Sequence, residues 1–255
     1  MCLIAWNWCP DRPEQLLLIA NRDEFRARPA RALGWWSDGH VLAGRDLQAG
    51  GTWLGVHRSG RLAALTNFRS TTPPRTDAPS RGELVAAFLR SGLSGAQFLA
   101  SIVGQIDRYN PFNLLVFDGQ QLLGLESRHR RIVPMVPGVG AVSNADFHTP
   151  WPKLVRWRDA LTNLSPENLA SDSDVLPLLQ DTTVAPDAQL PNTGISPEFE
   201  RALSAPFVTL PHYGTRASSV VRLGHEQGSF MELGYPDATP ASAQAGQVTW
   251  TFAGA

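Results

Sequence analysis

The chain has 255 residues, 43% hydrophobic and 18% charged, a globular balance with length enough for a full core in one domain over residues 1–255. Its 22 basic and 23 acidic residues leave a net charge of −1, which argues against a nucleic-acid partner and against a charged tail. No stretch approaches the roughly 18 apolar residues of a membrane helix, the N-terminus lacks the basic region of a secretory leader, and Cys2 and Cys9 cannot build a disulfide framework, so a cytoplasmic location is expected.

Residues 2–8 and 15–24 read as two buried strands joined by the Pro-containing turn at 9–13. The continuous apolar run at 16–20 predicts a strand covered on both faces. An Arg- and Pro-rich loop follows at 26–31, then Trp35-Trp36. Residues 50–56 and 61–67 flank Ser59-Gly60 as a hairpin. Residues 70–79 carry no strand or helix pattern. Helical spacing over 80–90 brings Leu84, Val85, Phe88 and Leu89 to one face, with Ser80 as N-cap and Glu83 completing a capping box. A second helix spans 94–106. Strands return at 112–117, 121–126 and 139–144, with a turn at Asp118-Gly119. Helices are expected over 152–164 and near 175–179, and strands at 218–223, 229–234 and 248–252. This order does not alternate as a doubly wound sheet would. It predicts an α+β fold, a four-layer α/β/β/α sandwich of two mainly antiparallel sheets; composition alone also allows a generic α+β fold.

Removal of Met1 would make Cys2 the first residue, joining a thiol and an α-amine whose ordinary pKa values are about 8.5 and about 8. The amine can then serve as the base for its own thiol. Alone, Cys2 reads more readily as a small residue starting a buried strand than as a nucleophile. Asn21-Arg22-Asp23-Glu24 ends the apolar second strand, and antiparallel pairing sets that end beside Cys2. Arg22 is a candidate to stabilise a thiolate, and Asp23 a candidate to orient the amine. Asn67 and Asn144 end two further apolar strands and offer neutral amide donors suited to an oxyanion. Arg216 precedes a late strand and could add a second cation. Singly, each is also a common strand-end residue.

The six histidines show no metal-ligand spacing, and no nucleotide-binding or Gly-x-Ser-x-Gly motif is present. No cofactor is expected. Trp35, Trp36, Trp53, Trp151 and Trp157 either wall an apolar pocket or pack in the core.

Met1-Cys2-Leu-Ile, Asn21-Arg-Asp-Glu24-Phe25, Ala43-Gly-Arg-Asp46, residues 50–56, Ala64-Leu-Thr-Asn67, Val142-Ser-Asn144 and Tyr213-Gly-Thr-Arg216 together resemble the NRDE family. Its eukaryotic members are the transport and Golgi organisation 2 homologues. The resemblance covers most of the chain, though residues 164–197 carry no motif. It implies an N-terminal-nucleophile (Ntn) hydrolase-like fold, distantly similar to bile-salt hydrolases and penicillin acylases. Carried over by position, it implies Cys2 as nucleophile, with Arg22, Asn67, Asn144 and Arg216 around it. In that group the Asp lies three residues after the Arg, whereas Asp23 is adjacent to Arg22, so the orienting carboxylate is Asp23 or Glu24. Two functions are carried forward. One is a cofactor-free amidohydrolase acting on the linear C–N amide bond of a small molecule. The other is a binding or transfer protein for an amphipathic metabolite such as haem or an acyl-CoA, roles to which eukaryotic relatives have been linked.

Overall fold

The computed structural model describes residues 2–164, 171–237 and 239–252. Met1, whose removal the sequence predicts, lies outside them. The chain opens with β1 (Cys2–Trp8) and β2 (Glu14–Phe25), then crosses to β3 (Ala30–Trp35), β4 (Val41–Asp46), β5 (Leu54–His57) and β6 (Leu62–Asn67). Two helices, α1 (Gly82–Arg90) and α2 (Gly95–Val103), precede β7 (Phe112–Phe117), β8 (Leu122–Glu126), β9 (Arg131–Pro134) and β10 (Gly138–Val142). Helices α3 (Pro152–Asn163), α4 (Asp172–Leu179) and α5 (Pro197–Ala202) lead to β11 (Tyr213–Gly224), β12 (Gln227–Gly234) and β13 (Gln244–Thr251).

These strands form a six-stranded sheet in the order β10-β1-β2-β11-β12-β13 and a seven-stranded sheet running β3 to β9 in sequence. Alternation along the strands builds the layers. Ile4, Trp6, Leu16 and Leu18 meet Leu54, Val56 and Leu115 between the sheets. Leu3, Ala5, Leu17 and Ile19 point the other way, under Leu154, Trp157 and Leu161 of α3 and Val175 and Leu179 of α4. Ala63, Leu114 and Val116 of the second sheet are covered by Leu84, Phe88, Phe98 and Leu99 of α1 and α2. The four-layer sandwich expected from the element order is therefore present. Burial of both faces of β1 and β2 explains why their apolar runs are continuous.

Several local expectations differ. Strands β3, β4 and β9 and helix α5 lie where no regular element was expected. β3 is mostly exposed and is interrupted by a register shift between Arg31 and Gly34, so it carries no apolar alternation. At α1 the N-cap is Arg81, not Ser80. Ser80 Oγ accepts only the Gly82 N–H at 3.3 Å, and Glu83 accepts from the Tyr109 hydroxyl at 2.7 Å instead of closing a capping box. The box does form at α2, between Ser94 and Gln97. Gly50 turns the chain with φ of +77°, and a Cβ on Gly51 would lie 2.6 Å from the Gly82 backbone. That close approach presses the loop before β5 against the start of α1.

Candidate active site

The open end of the sandwich is where β1 begins and β2, β4 and β6 end. Cys2 pairs with Arg22 in antiparallel register, so the end of the second strand does lie beside the start of the first. Alternation then sorts the four polar residues at the end of β2. Arg22 and Glu24 are in phase with Leu16, Leu18 and Ala20, on the face between the sheets; Asn21 and Asp23 are in phase with Leu17 and Ile19, on the helical face.

A cleft of about 860 Å³ occupies this end, and its walls include Cys2, Arg22, Asp23, Asn67 and Arg216. Arg22 lies 3.5 Å from Glu24 and 3.9 Å from Asp46, and Arg28 pairs with Asp46 at 2.7 Å. Two sequence blocks far apart in the chain thus meet as one ion network. Cys2 is buried. Burial pushes its thiol up to about 11; the N-terminal charge and then Arg22 pull it down, against Asp23 and Glu24. The resting group is therefore a neutral thiol rather than the thiolate expected beside Arg22.

Asp23 turns to the helical face. Its Oδ1 accepts from the Thr215 hydroxyl at 2.7 Å, and its Oδ2 lies 3.8 Å from Lys153 Nζ. Burial raises its pKa against the pull of Lys153. Lys153 is itself buried, and burial pushes it down to about 8 despite Asp23. Asn21 is structural: its amide donates to the Leu179 and Pro206 carbonyls at 2.8 and 2.9 Å and accepts from Ser218.

Arg216 owes its position to a bulge. Thr215 stands opposite Asp23 and Ala217 opposite Arg22, leaving Arg216 as the extra residue, on the cleft wall. Its Nη1 donates to the Phe25 and Arg26 carbonyls at 3.1 and 2.6 Å. Asn67 lines the cleft, but Asn144 is fully buried behind it. The Asn144 amide donates to the Asn67 carbonyl at 2.9 Å, and the Asn144 carbonyl accepts the Arg69 N–H at 2.7 Å. These two bonds clasp the sheets together. Among the five tryptophans considered, Trp53 lines the cleft. Trp157 is core, Trp35 packs edge-on to Trp250, Trp36 lies under Arg45 and Arg90, and Trp151 under Arg69. Among the described residues no cluster of His, Cys, Asp and Glu is arranged to hold a metal ion.

The model of the family described as Transport and Golgi organisation 2 matches residues 1–234. The chain belongs to the Transport and Golgi organisation 2 family. The Bos taurus Transport and Golgi organization protein 2 homolog is 36% identical over 244 residues, 87% of this chain and 88% of that one. The Homo sapiens homolog is 32% identical over 246 residues, with the same shares. Among solved structures, a Caenorhabditis elegans N-acylethanolamine-hydrolyzing acid amidase ortholog superposes with a TM-score of 0.51 at 11% identity, covering 86% of this chain and 92% of that one. A C2A mutant of the conjugated bile acid hydrolase from Clostridium perfringens gives 0.50 at 10% identity, covering 99% and 97%. This family member therefore has an Ntn-hydrolase-like fold. Within its site, sequence reasoning missed Lys153, Thr215 and Arg81. Lys153 carried a usable signal, being the single Lys in a chain whose other cations are all Arg.

Proposed function

We propose that this chain is an Ntn amidohydrolase that cleaves a linear amide C–N bond with Cys2 as nucleophile. The observation that carries the reading is the register of Cys2 against Arg22 on the wall of a cleft large enough for a small molecule. Once Met1 is removed, the Cys2 α-amine takes the thiol proton as Sγ bonds to the substrate carbonyl carbon. A thiol that burial raises needs such a base at the moment of attack. Asn67 and nearby backbone N–H groups receive the oxyanion. The tetrahedral adduct collapses, the C–N bond breaks, and the α-ammonium returns its proton to the leaving amine. Water then adds to the Cys2 thioester, giving its proton to the α-amine, and the acid departs with the thiol restored. Arg22 and Asp23 orient Cys2, Asn144 acts through Asn67, and Arg216 faces the substrate.

The wall mixes Trp53, Leu65 and Tyr235 with arginines, which suits an amphipathic acyl amide. The test is a panel of N-acyl amides of varied chain length, with intact mass recorded for the same preparation. Loss of Met1 and acyl-amide turnover that Cys2→Ser lowers by at least about a hundredfold are expected. Turnover that survives Cys2→Ser, or that proceeds with Met1 retained, overturns the mechanism.

A further inference from the structure

We propose that the cleft selects amides carrying a fixed anion and that Arg81 and Arg216 receive that anion. The choice of amide probes rests on the amidohydrolase reading; the anion preference rests on the charge arrangement of the walls.

The chain as a whole is nearly neutral, but its cleft is not. Glu24 and Asp46 are already engaged by Arg22 and Arg28. Asp23 is engaged by Thr215 and Lys153, and Glu83 accepts from Tyr109. Glu232 accepts the Leu33 N–H at 2.8 Å, and burial raises its pKa. The wall also carries Arg31, Arg45, Arg81 and Arg216, none of which has a carboxylate within 4.0 Å among the described residues. Arg45 is occupied in part by the Gly50 carbonyl and the Trp36 ring.

Arg81 and Arg216 stand out among these by position. Arg216 Nε is buried with no hydrogen-bond partner among the described residues. Burial, then the nearby charges of Arg22 and Arg26, push its pKa down. An anion reverses both effects, supplying an acceptor and relieving like-charge crowding. Arg81 stands on the same cleft wall as Cys2 and Glu24, and burial depresses its pKa. Its Nη1 is steadied by the Pro111 carbonyl at 2.9 Å. Arg216 belongs to the first sheet and Arg81 to the helix covering the second, so the two cations come from opposite halves of the sandwich. A guanidinium–carboxylate contact in such a partly dry cleft discriminates against a neutral isostere by about tenfold or more.

The experiment measures binding to Cys2→Ala protein, which cannot turn over, using three probes in a titration calorimeter. N-decanoylglycine carries its carboxylate on the amine half, the monoamide of decanedioic acid carries it on the acyl half, and N-decanoylethanolamine is neutral. At least one carboxylate probe is expected to bind about tenfold tighter than the neutral one, with an advantage that shrinks in high salt. Arg81→Gln and Arg216→Gln remove that advantage, while Arg81→Lys and Arg216→Lys, which keep the charge, retain part of it. The stronger carboxylate arm reports which half of the substrate bears the anion. Neutral and charged probes binding alike, no saturable binding of either carboxylate probe, or an advantage that survives both Gln variants each overturn the proposal. An anion preference in a protein whose wild type hydrolyses no amide sinks the hydrolase reading and leaves the anion site standing.

Discussion

Lys153 lies in the first turn of α3 with 1% of its surface exposed, 3.8 Å from Asp23. Arginine would stay charged there, whereas a lysine can give up its proton when buried. Asp23, Arg69, Cys2 and Glu200 are the charged or titratable groups that act on it. Its folded pKa of about 8 lies below the ordinary 10.5, so between those values the unfolded chain binds more protons. This group's contribution to stability therefore rises with pH across that window. Urea unfolding followed from pH 8 to 10.5 should show a gain of about one to three kcal/mol in the wild type relative to Lys153→Met. Parallel pH profiles for the two proteins would show that Lys153 is not depressed. Arg22 was legible at this scale because strand register follows from a short turn. The Asp23–Lys153 pair was not, because it exists only once a helix from the middle of the chain docks on the first sheet.

Gly51 shows how an element is aimed. A Cβ there would meet the Gly82 backbone at 2.6 Å, with no flexible side chain to give way. Gly51→Ala should displace the start of α1, cost about 1–3 kcal/mol in urea unfolding, and weaken whatever Arg81 binds. Unchanged stability together with unchanged ligand affinity would show that the loop yields instead. Elements with a strong period were legible: α1 and α2 by their apolar faces, β1, β2 and β7 by buried runs. β3, with the Arg-rich pattern of a loop, pairs with β4 and is held against the first sheet by Glu232 on the Leu33 N–H and by Trp250 on Trp35, which only tertiary contact reveals. The expected capping box at α1 fails for a similar reason, since Tyr109 claims Glu83.

At the level of the molecule, the Asn144 clasp holds the two sheets at the cleft. Asn144→Ala would strip the part-buried Asn67 carbonyl of its side-chain donor. A loss of about 1–3 kcal/mol in stability is expected, along with at least a tenfold fall in any turnover that uses Asn67. Equal stability of Asn144→Ala and wild type would remove the clasp from the account. The layered architecture was readable from element order, because helix pairs falling between strand groups permit few packings. The cleft's charge was not readable, since a net charge near zero conceals how the arginines and carboxylates are distributed in space.

Strand order also sets a schedule. β2 is flanked by β1, its immediate predecessor, and by β11, which begins at Tyr213. At a synthesis rate of ~5–20 residues per second, β2 waits roughly ten to forty seconds for that partner to be made. Until then Asp23 lacks Thr215, Arg216 does not exist, and Cys2 stands on an unfinished hairpin. Cys2 and Arg22, paired early in the chain, thus gain Thr215 and Arg216 beside them only when β11 has been made.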